Sequence, residues 1–206
     1  EDGKIKVVLE NAKGKETEIE VDRVLSAVGM KANSQGLGLE NAGVELDARG
    51  NIIVNEFQET SSKGIYAIGD VAGRQMLAHK ASAEGEVAIA HIAGQNVHGV
   101  NYGQIPGCTY CQPQVASVGL TEKAAKDAGY SLKIGKFPFT ASGKAHGVGA
   151  PEGLVKLIFN EDTDEILGAH IVGYDATEMI AELSLAMKLE ATWEEIAHTV
   201  HAHPTL

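Results

Sequence analysis

The sequence predicts a mixed fold, α/β in its first part and α+β in its second. Three observations carry this. Ile65-Tyr-Ala-Ile68 is a short apolar, β-favouring run that stops at Gly69-Asp70, and residues 78–93 then suit a helix, giving a buried strand, a tight turn and a helix in succession. Residues 99–107, with Asn101, Gly103 and Pro106, have the composition of a boundary between domains. Beyond that boundary the pattern is α+β.

In chain order, Lys4-Ile-Lys-Val-Val-Leu9 and Thr17-Glu-Ile-Glu-Val21 alternate polar and apolar residues around the turn Asn11–Lys15. They read as an antiparallel hairpin with one wet face. Val24-Leu-Ser-Ala-Val28 reads as a more fully apolar strand ending at Gly29, with a loop from Met30 to Leu39 after it. Val44–Leu46 and Asn51–Val54 make a second short hairpin around Asp47-Ala-Arg-Gly50. In the helix after Ala78, the apolar residues Ala81, Val87, Ala88, Ile89 and Ile92 cluster on one side.

Past the boundary, Gln114–Val118 is a strand. A short helix follows, with Thr121 as N-cap and Gly129 just past its end. Leu132–Phe137, Leu154–Phe159 and Ile166–Val172 are strands, the last two joined by the acidic turn 160–165. A helix runs from about Ala176 to Leu189, and another opens on the capping box Thr192-Trp-Glu-Glu195.

Composition removes several function classes. The chain has 206 residues, 44% hydrophobic and 22% charged, as in ordinary globular proteins. A net charge of −11 without a dense Lys/Arg patch argues against nucleic acid and anionic membrane as partners. No apolar run is long enough for a transmembrane helix, and two cysteines cannot build a disulfide framework, which favours a reducing compartment. The chain opens without Met on a mid-sheet-like strand and stops at Leu206 directly after a histidine cluster. It is expected to be a fragment.

Few residues declare chemistry on their own. Asp70, at a strand tip beside a helix start, can accept hydrogen bonds from ligand hydroxyls, or can merely shape the turn. His198, His201 and His203 crowd the end of the chain with no Cys or carboxylate at a supporting spacing, so a metal site is not expected. Pro204 restricts His203 to extended backbone and ends the helix, which mounts one imidazole as a general base or leaves a plain surface histidine. Cys108-Thr-Tyr-Cys111 sits on strand-like sequence, where positions three apart face opposite ways, so two separate structural cysteines are expected. There is no GxGxxG loop, P-loop or nucleophile elbow.

Taken together, the blocks resemble a family. They are Val24-Leu-Ser-Ala-Val-Gly29, Gly36-Leu-Gly-Leu-Glu40, Gly43-Val-Glu-Leu-Asp47, Ile65–Asp70, Met76-Leu-Ala-His-Lys-Ala81, Val115-Ala-Ser-Val-Gly119, Lys136-Phe-Pro-Phe139, Leu167-Gly-Ala-His170 and His201–Leu206. In order and number they resemble the two-dinucleotide-binding-domain flavoprotein disulfide reductases, and within these the dihydrolipoamide dehydrogenases. The resemblance implies the carboxyl-terminal part of such a protein. Residues 1–33 would end an NAD-binding domain, 34–104 would form a central second FAD segment, and 105–206 a truncated interface domain.

The same resemblance implies site residues. Asp70 would contact the ribityl chain of FAD, while Met76, Leu77, Ala78 and His79 would turn backbone N–H groups toward the flavin ring. Gly29 would let NAD approach the backbone. His203 would take a proton from dihydrolipoamide, acting in the other subunit of a homodimer. Implied partners are lipoyl domains of 2-oxo acid dehydrogenase or glycine cleavage complexes, in a bacterial cytoplasm or a mitochondrial matrix. Electrons would pass from dihydrolipoamide through a redox disulfide and FAD to NAD+.

There are departures from the family pattern. Gly29-Met-Lys-Ala-Asn33 stands where the family has Gly-Arg-x-Pro-Asn, so the Arg and Pro of the NAD-side loop are missing. The flavin and nucleotide glycine loops and the redox cysteine pair have no counterpart here, and Cys108/Cys111 match that pair in neither spacing nor place. The chain alone is therefore expected to be inactive. The alternatives are a related reductase of glutathione or mercuric type, or a non-catalytic dimerisation fragment.

Overall fold

A computed structural model describes residues 3–206. The chain opens on a hairpin, β1 (Ile5–Glu10) and β2 (Glu16–Val21), paired antiparallel from Ile5↔Val21 to Glu10↔Glu16. Asn11 closes its turn by accepting the N–H groups of Lys13 and Lys15 on its side-chain oxygen. The expected dry face is absent: Ile5, Val8, Leu9 and Ile19 are all exposed, because nothing among the described residues packs on the hairpin.

Val24–Val28 is likewise not a strand. The segment is irregular, and Leu25 and Val28 are 92% and 96% exposed. A strand exists only through hydrogen bonds to a neighbour, and no described segment pairs here. A composition suited to a buried strand thus stands in solvent.

Residues 34–77 form a compact irregular layer. Isolated bridges Leu46↔Ile52, Val54↔Thr60 and Glu59↔Tyr66 replace the longer pairings the sequence suggested. The turn of the first is built by Asp47, whose Oδ1 accepts from the backbone of Arg49 and Asn51 and whose Oδ2 accepts from the Asn51 amide. These bonds hold its carboxyl below the usual range. Val44, Ile52 and Ala67 make a small core under this layer. Ile65 and Ile68, expected to be buried, are 37% and 41% exposed.

Helix α1 (Ala78–Ile92) begins after Leu77 in extended conformation. It ends where Gly94 takes φ +71 and the Gln95 N–H reaches back to the Ala90 carbonyl. Its buried residues are Lys80, Glu84 and Ala88, whereas Ile89 and Ile92 are exposed. Of the apolar stripe expected from the sequence, Ala88 is buried and Ala81 and Val87 are half-buried, while Ile89 and Ile92 stand off the packed face.

The second half is an antiparallel five-stranded sheet in the order β3-β4-β7-β6-β5. Its strands are β3 (Gly107–Thr109), β4 (Gln114–Gly119), β5 (Leu132–Pro138), β6 (Leu154–Asn160) and β7 (Ile166–Gly173). α2 (Glu122–Asp127) is capped by the Thr121 side chain, and α3 (Gly143–Gly147) by Ser142. α4 (Ala176–Lys188) lies across β4 and β7. It buries Ala176, Ile180, Leu183 and Met187, a single helical face. These meet Ala116, Val118, Ala169, Ile171, Phe139 and Phe159 in the main core. Each large side chain so buried contributes about 1.5–3 kcal/mol.

α5 (Trp193–His198) carries the expected capping box, with Thr192 and Glu195 exchanging hydrogen bonds. No helix among the described residues is long and apolar enough to cross a membrane.

Candidate flavin-facing site

The site grows from the Gly69–Gly73 turn. Ile68 is extended, with φ −132, and Gly69 then swings to φ +74, a left-handed step that a side chain would strain. A tight 3-10 turn follows through Ala72, closed by the Gly73 N–H on the Asp70 carbonyl. Gly73 also has positive φ, and a Cβ there would press on the Asn51 side chain. The Ile52 N–H donates to the Val71 carbonyl at 2.8 Å and fastens the turn to the small core.

Asp70 rides on this turn with its side chain exposed, and no described residue donates a hydrogen bond to its carboxylate. Met76 and Leu77 are half-buried, while Ala78 and His79 are exposed. No side chain caps α1 at Leu77. The N–H groups of Ala78, His79 and Lys80 therefore lack intrahelical partners and lie at the positive end of the helix dipole. A carboxylate that accepts from hydroxyls thus stands beside a row of donors that suits an acceptor carrying partial negative charge. The His79 side chain points elsewhere: its Nε2–H donates to the Pro106 carbonyl at 2.8 Å, tying the helix start to the boundary segment.

Sequence reading missed the layer beneath. Lys80 and Glu84 lie under the turn, and Tyr102 and Gln58 complete the contact from neighbouring segments. The signal was available: a Lys and a Glu four apart on the face that holds Ala88, not on the solvent face.

The remaining candidates are spread out. Gly29 has φ +126 and nothing within 4 Å of the position a Cβ would take. His203 is exposed and makes no hydrogen bond to a described residue. His201 instead engages Glu182 on α4 and the Thr199 carbonyl. No cluster of His, Cys, Asp or Glu among the described residues could hold a metal. Both cysteines are free thiols; Cys108 packs on the main core, and burial and the Glu178 charge push it up, the opposite of a reactive thiolate. Cys111 is exposed rather than structural, its thiol directed at the Pro113 carbonyl. A groove of about 600 Å³ lies between α4 and α5 along Leu185, Leu189 and Ile196, and neither Asp70 nor His79 lines it.

Residues 105–206 match the pyridine nucleotide-disulphide oxidoreductase dimerisation domain, and residues 1–85 match the pyridine nucleotide-disulphide oxidoreductase domain. The chain belongs to the pyridine nucleotide-disulphide oxidoreductase family. Dihydrolipoyl dehydrogenase of Rhizobium etli is 51% identical over 205 residues, which is 99% of this chain and 42% of that protein. The Thermus scotoductus protein of the same name is 50% identical over 97% of this chain and 43% of its own length. The chain thus spans under half the length of the relatives it matches.

Among solved structures, LpdA of Mycobacterium tuberculosis superposes with a TM-score of 0.87 at 25% identity, covering 96% of this chain and 43% of that one. RclA of Escherichia coli, titled an HOCl-induced flavoprotein disulfide reductase, superposes with a TM-score of 0.89 at 24% identity, over all of this chain and 46% of that one; this likeness speaks to the fold alone.

Proposed function

We propose that this chain is the carboxyl-terminal portion of a dihydrolipoamide dehydrogenase, with residues 1–33 closing an NAD-binding domain, 34–104 a central FAD segment and 105–206 a dimer-forming domain. The observation that carries the reading is the exposed Asp70 carboxylate beside the uncapped start of α1. This donor and acceptor set fits FAD. Asp70 would accept from ribityl hydroxyls, and the N–H groups from Ala78 onward would face the ring, with Met76, Leu77 and His79 shaping the approach. When bound, the flavin supplies the two-electron relay between a thiol pair and the pyridine nucleotide.

The other roles belong to this chain's own residues. Gly29 offers NAD a backbone without a side chain in the way. His203 is free to take a proton from a dihydrolipoamide thiol, leaving a thiolate able to attack a disulfide sulfur. Cys108 and Cys111 are not that disulfide. We assign the redox pair and the phosphate-binding loops to the parent protein outside this sequence, the homodimer to residues 105–206, and the substrate to lipoyl domains of 2-oxo acid dehydrogenase or glycine cleavage complexes. By itself the 206-residue chain is then inactive.

The test compares the full-length protein with residues 1–206 alone. Full-length protein is expected to reduce NAD+ with dihydrolipoamide, and the short chain to purify without flavin or turnover. A full-length protein that prefers glutathione disulfide, or a yellow and active short chain, overturns the proposal.

A further inference from the structure

The turn that carries Asp70 is gripped from beneath by an ion pair that solvent does not reach. Lys80 and Glu84 are both 0% exposed, and their charged atoms lie 3.1 Å apart. Neither is directed at the other alone. Lys80 Nζ also donates to the carbonyls of Gly69 at 2.9 Å and Gly73 at 3.1 Å, one on each side of Asp70. Glu84 Oε2 accepts the Gly69 N–H at 2.7 Å. Its Oε1 accepts from the Tyr102 hydroxyl at 2.9 Å, which in turn accepts from Gln58 Nε2 at 3.1 Å. The Arg74 guanidinium covers the Tyr102 ring at 3.9 Å.

Stability alone does not account for this arrangement. A buried ion pair is commonly no more stabilising than apolar residues of the same shape. What apolar residues could not do is hold three main-chain groups at both ends of one turn. Gly69 and Gly73 are themselves buried, so those groups have no water to turn to. Asp70, between them, is left exposed and free.

We infer that Lys80 and Glu84 are positioning residues for the flavin contact, fixing the direction of the Asp70 carboxylate relative to the start of α1, and that Tyr102 relays the position of the domain boundary to that grip. This rests on the flavin-site reading above. The side chains of the trio are assigned no flavin contact of their own; each acts through the turn.

The first test is Tyr102→Phe in the full-length holoenzyme, which leaves both buried charges and the ring contacts in place. Its FAD dissociation constant is expected to rise on the order of tenfold, the effect of one lost hydrogen bond to a charged group. The visible flavin spectrum at saturating FAD is expected to shift, while far-ultraviolet circular dichroism and dimerisation stay unchanged. The double variant Lys80→Met/Glu84→Gln, neutral and similar in volume, is expected to lose about a hundredfold in FAD affinity. In an Asp70→Ala background Tyr102→Phe is expected to add little, because both act through one contact.

Wild-type FAD affinity and spectrum in folded Tyr102→Phe overturn the inference. So does a full, additive effect of Tyr102→Phe in the Asp70→Ala background, which marks a general stability role. Should the double variant fail to fold, Tyr102→Phe and its coupling to Asp70 decide. Absence of FAD from the unsubstituted full-length protein overturns the flavin-site reading itself, and this inference with it.

Discussion

His201 Nε2 lies 2.6 Å from Glu182 Oε1 and joins the end of the chain to α4. Its Nδ1 faces the Thr199 carbonyl at 2.9 Å. Both ring nitrogens thus meet acceptors, and only the imidazolium can donate to both. The Glu182 hydrogen bond, then the Glu182 charge, raise the histidine above its ordinary 6.5. A raised folded-state value means the stabilisation is complete below the unfolded value and is lost as pH rises through the folded one. The effect is small, because both side chains are half exposed. Glu182→Gln should lower the His201 midpoint in an NMR titration; an unchanged midpoint rules out the pairing.

Glu122 behaves in the opposite sense. Hydrogen bonds from Lys126, then Lys156, draw its carboxyl down to about 2, and the Lys156 bond fastens α2 to β6. Its contribution is present above the ordinary 4.5 and is lost as pH falls toward about 2. Glu122→Gln should therefore flatten acid unfolding between those limits while leaving neutral behaviour nearly intact. A carboxyl resonance that titrates at the ordinary value contradicts this.

Gly168 brings β7 against the end of β4. A Cβ there would be driven into the Leu120 carbonyl, a backbone atom that cannot swing aside. Leu120 is held by its N–H bond to the Leu167 carbonyl at 2.7 Å. Gly168→Ala is expected to destabilise the protein by about 3 kcal/mol in denaturant titration. Gly143→Ala, where nothing lies within 4 Å, serves as the control. Equal midpoints for the two would refute the close approach.

Asp70 and His203 should fail in different ways. Asp70→Ala in the full-length protein should weaken FAD binding by roughly ten- to a hundredfold, the effect of charged hydrogen bonds lost. His203→Gln should keep the flavin and slow turnover with dihydrolipoamide by about 100-fold or more. Equilibrium dialysis and steady-state kinetics separate the two, and a His203→Gln protein with unimpaired turnover removes the assigned proton acceptor.

Residues 105–206 were legible because their signals are local. The Thr121 N-cap, the Thr192–Glu195 capping box and the helix-spaced face of α4 each act within a few residues, and the alternating strands pair with one another inside the chain. Val24–Val28 misled because apolar composition states what a segment would bury, not whether a partner strand is there. Ile65–Ile68 misled similarly: a β-favouring run gained one bridge, not a ladder. Lys80 and Glu84 went unread because charged residues rank as surface residues until their main-chain partners are known. Asp70 was singled out from the outset, and the structure sharpens it from a turn former into an exposed carboxylate on a clamped turn.

The boundary segment also governs how this protein could be recombined with its relatives. Tyr102 reaches back to Glu84, Pro106 receives His79, and Gln104 donates forward to the Met187 carbonyl on α4. A chimera cut at residue 105 would part His79 from the Pro106 carbonyl and Gln104 from the Met187 carbonyl, while leaving Tyr102 with Glu84. Crossovers placed before 95 or after 107 would each sever at least one of these ties. Interface domains swapped at 105 should therefore work only when the donor places main-chain carbonyls where His79 and Gln104 meet those of Pro106 and Met187.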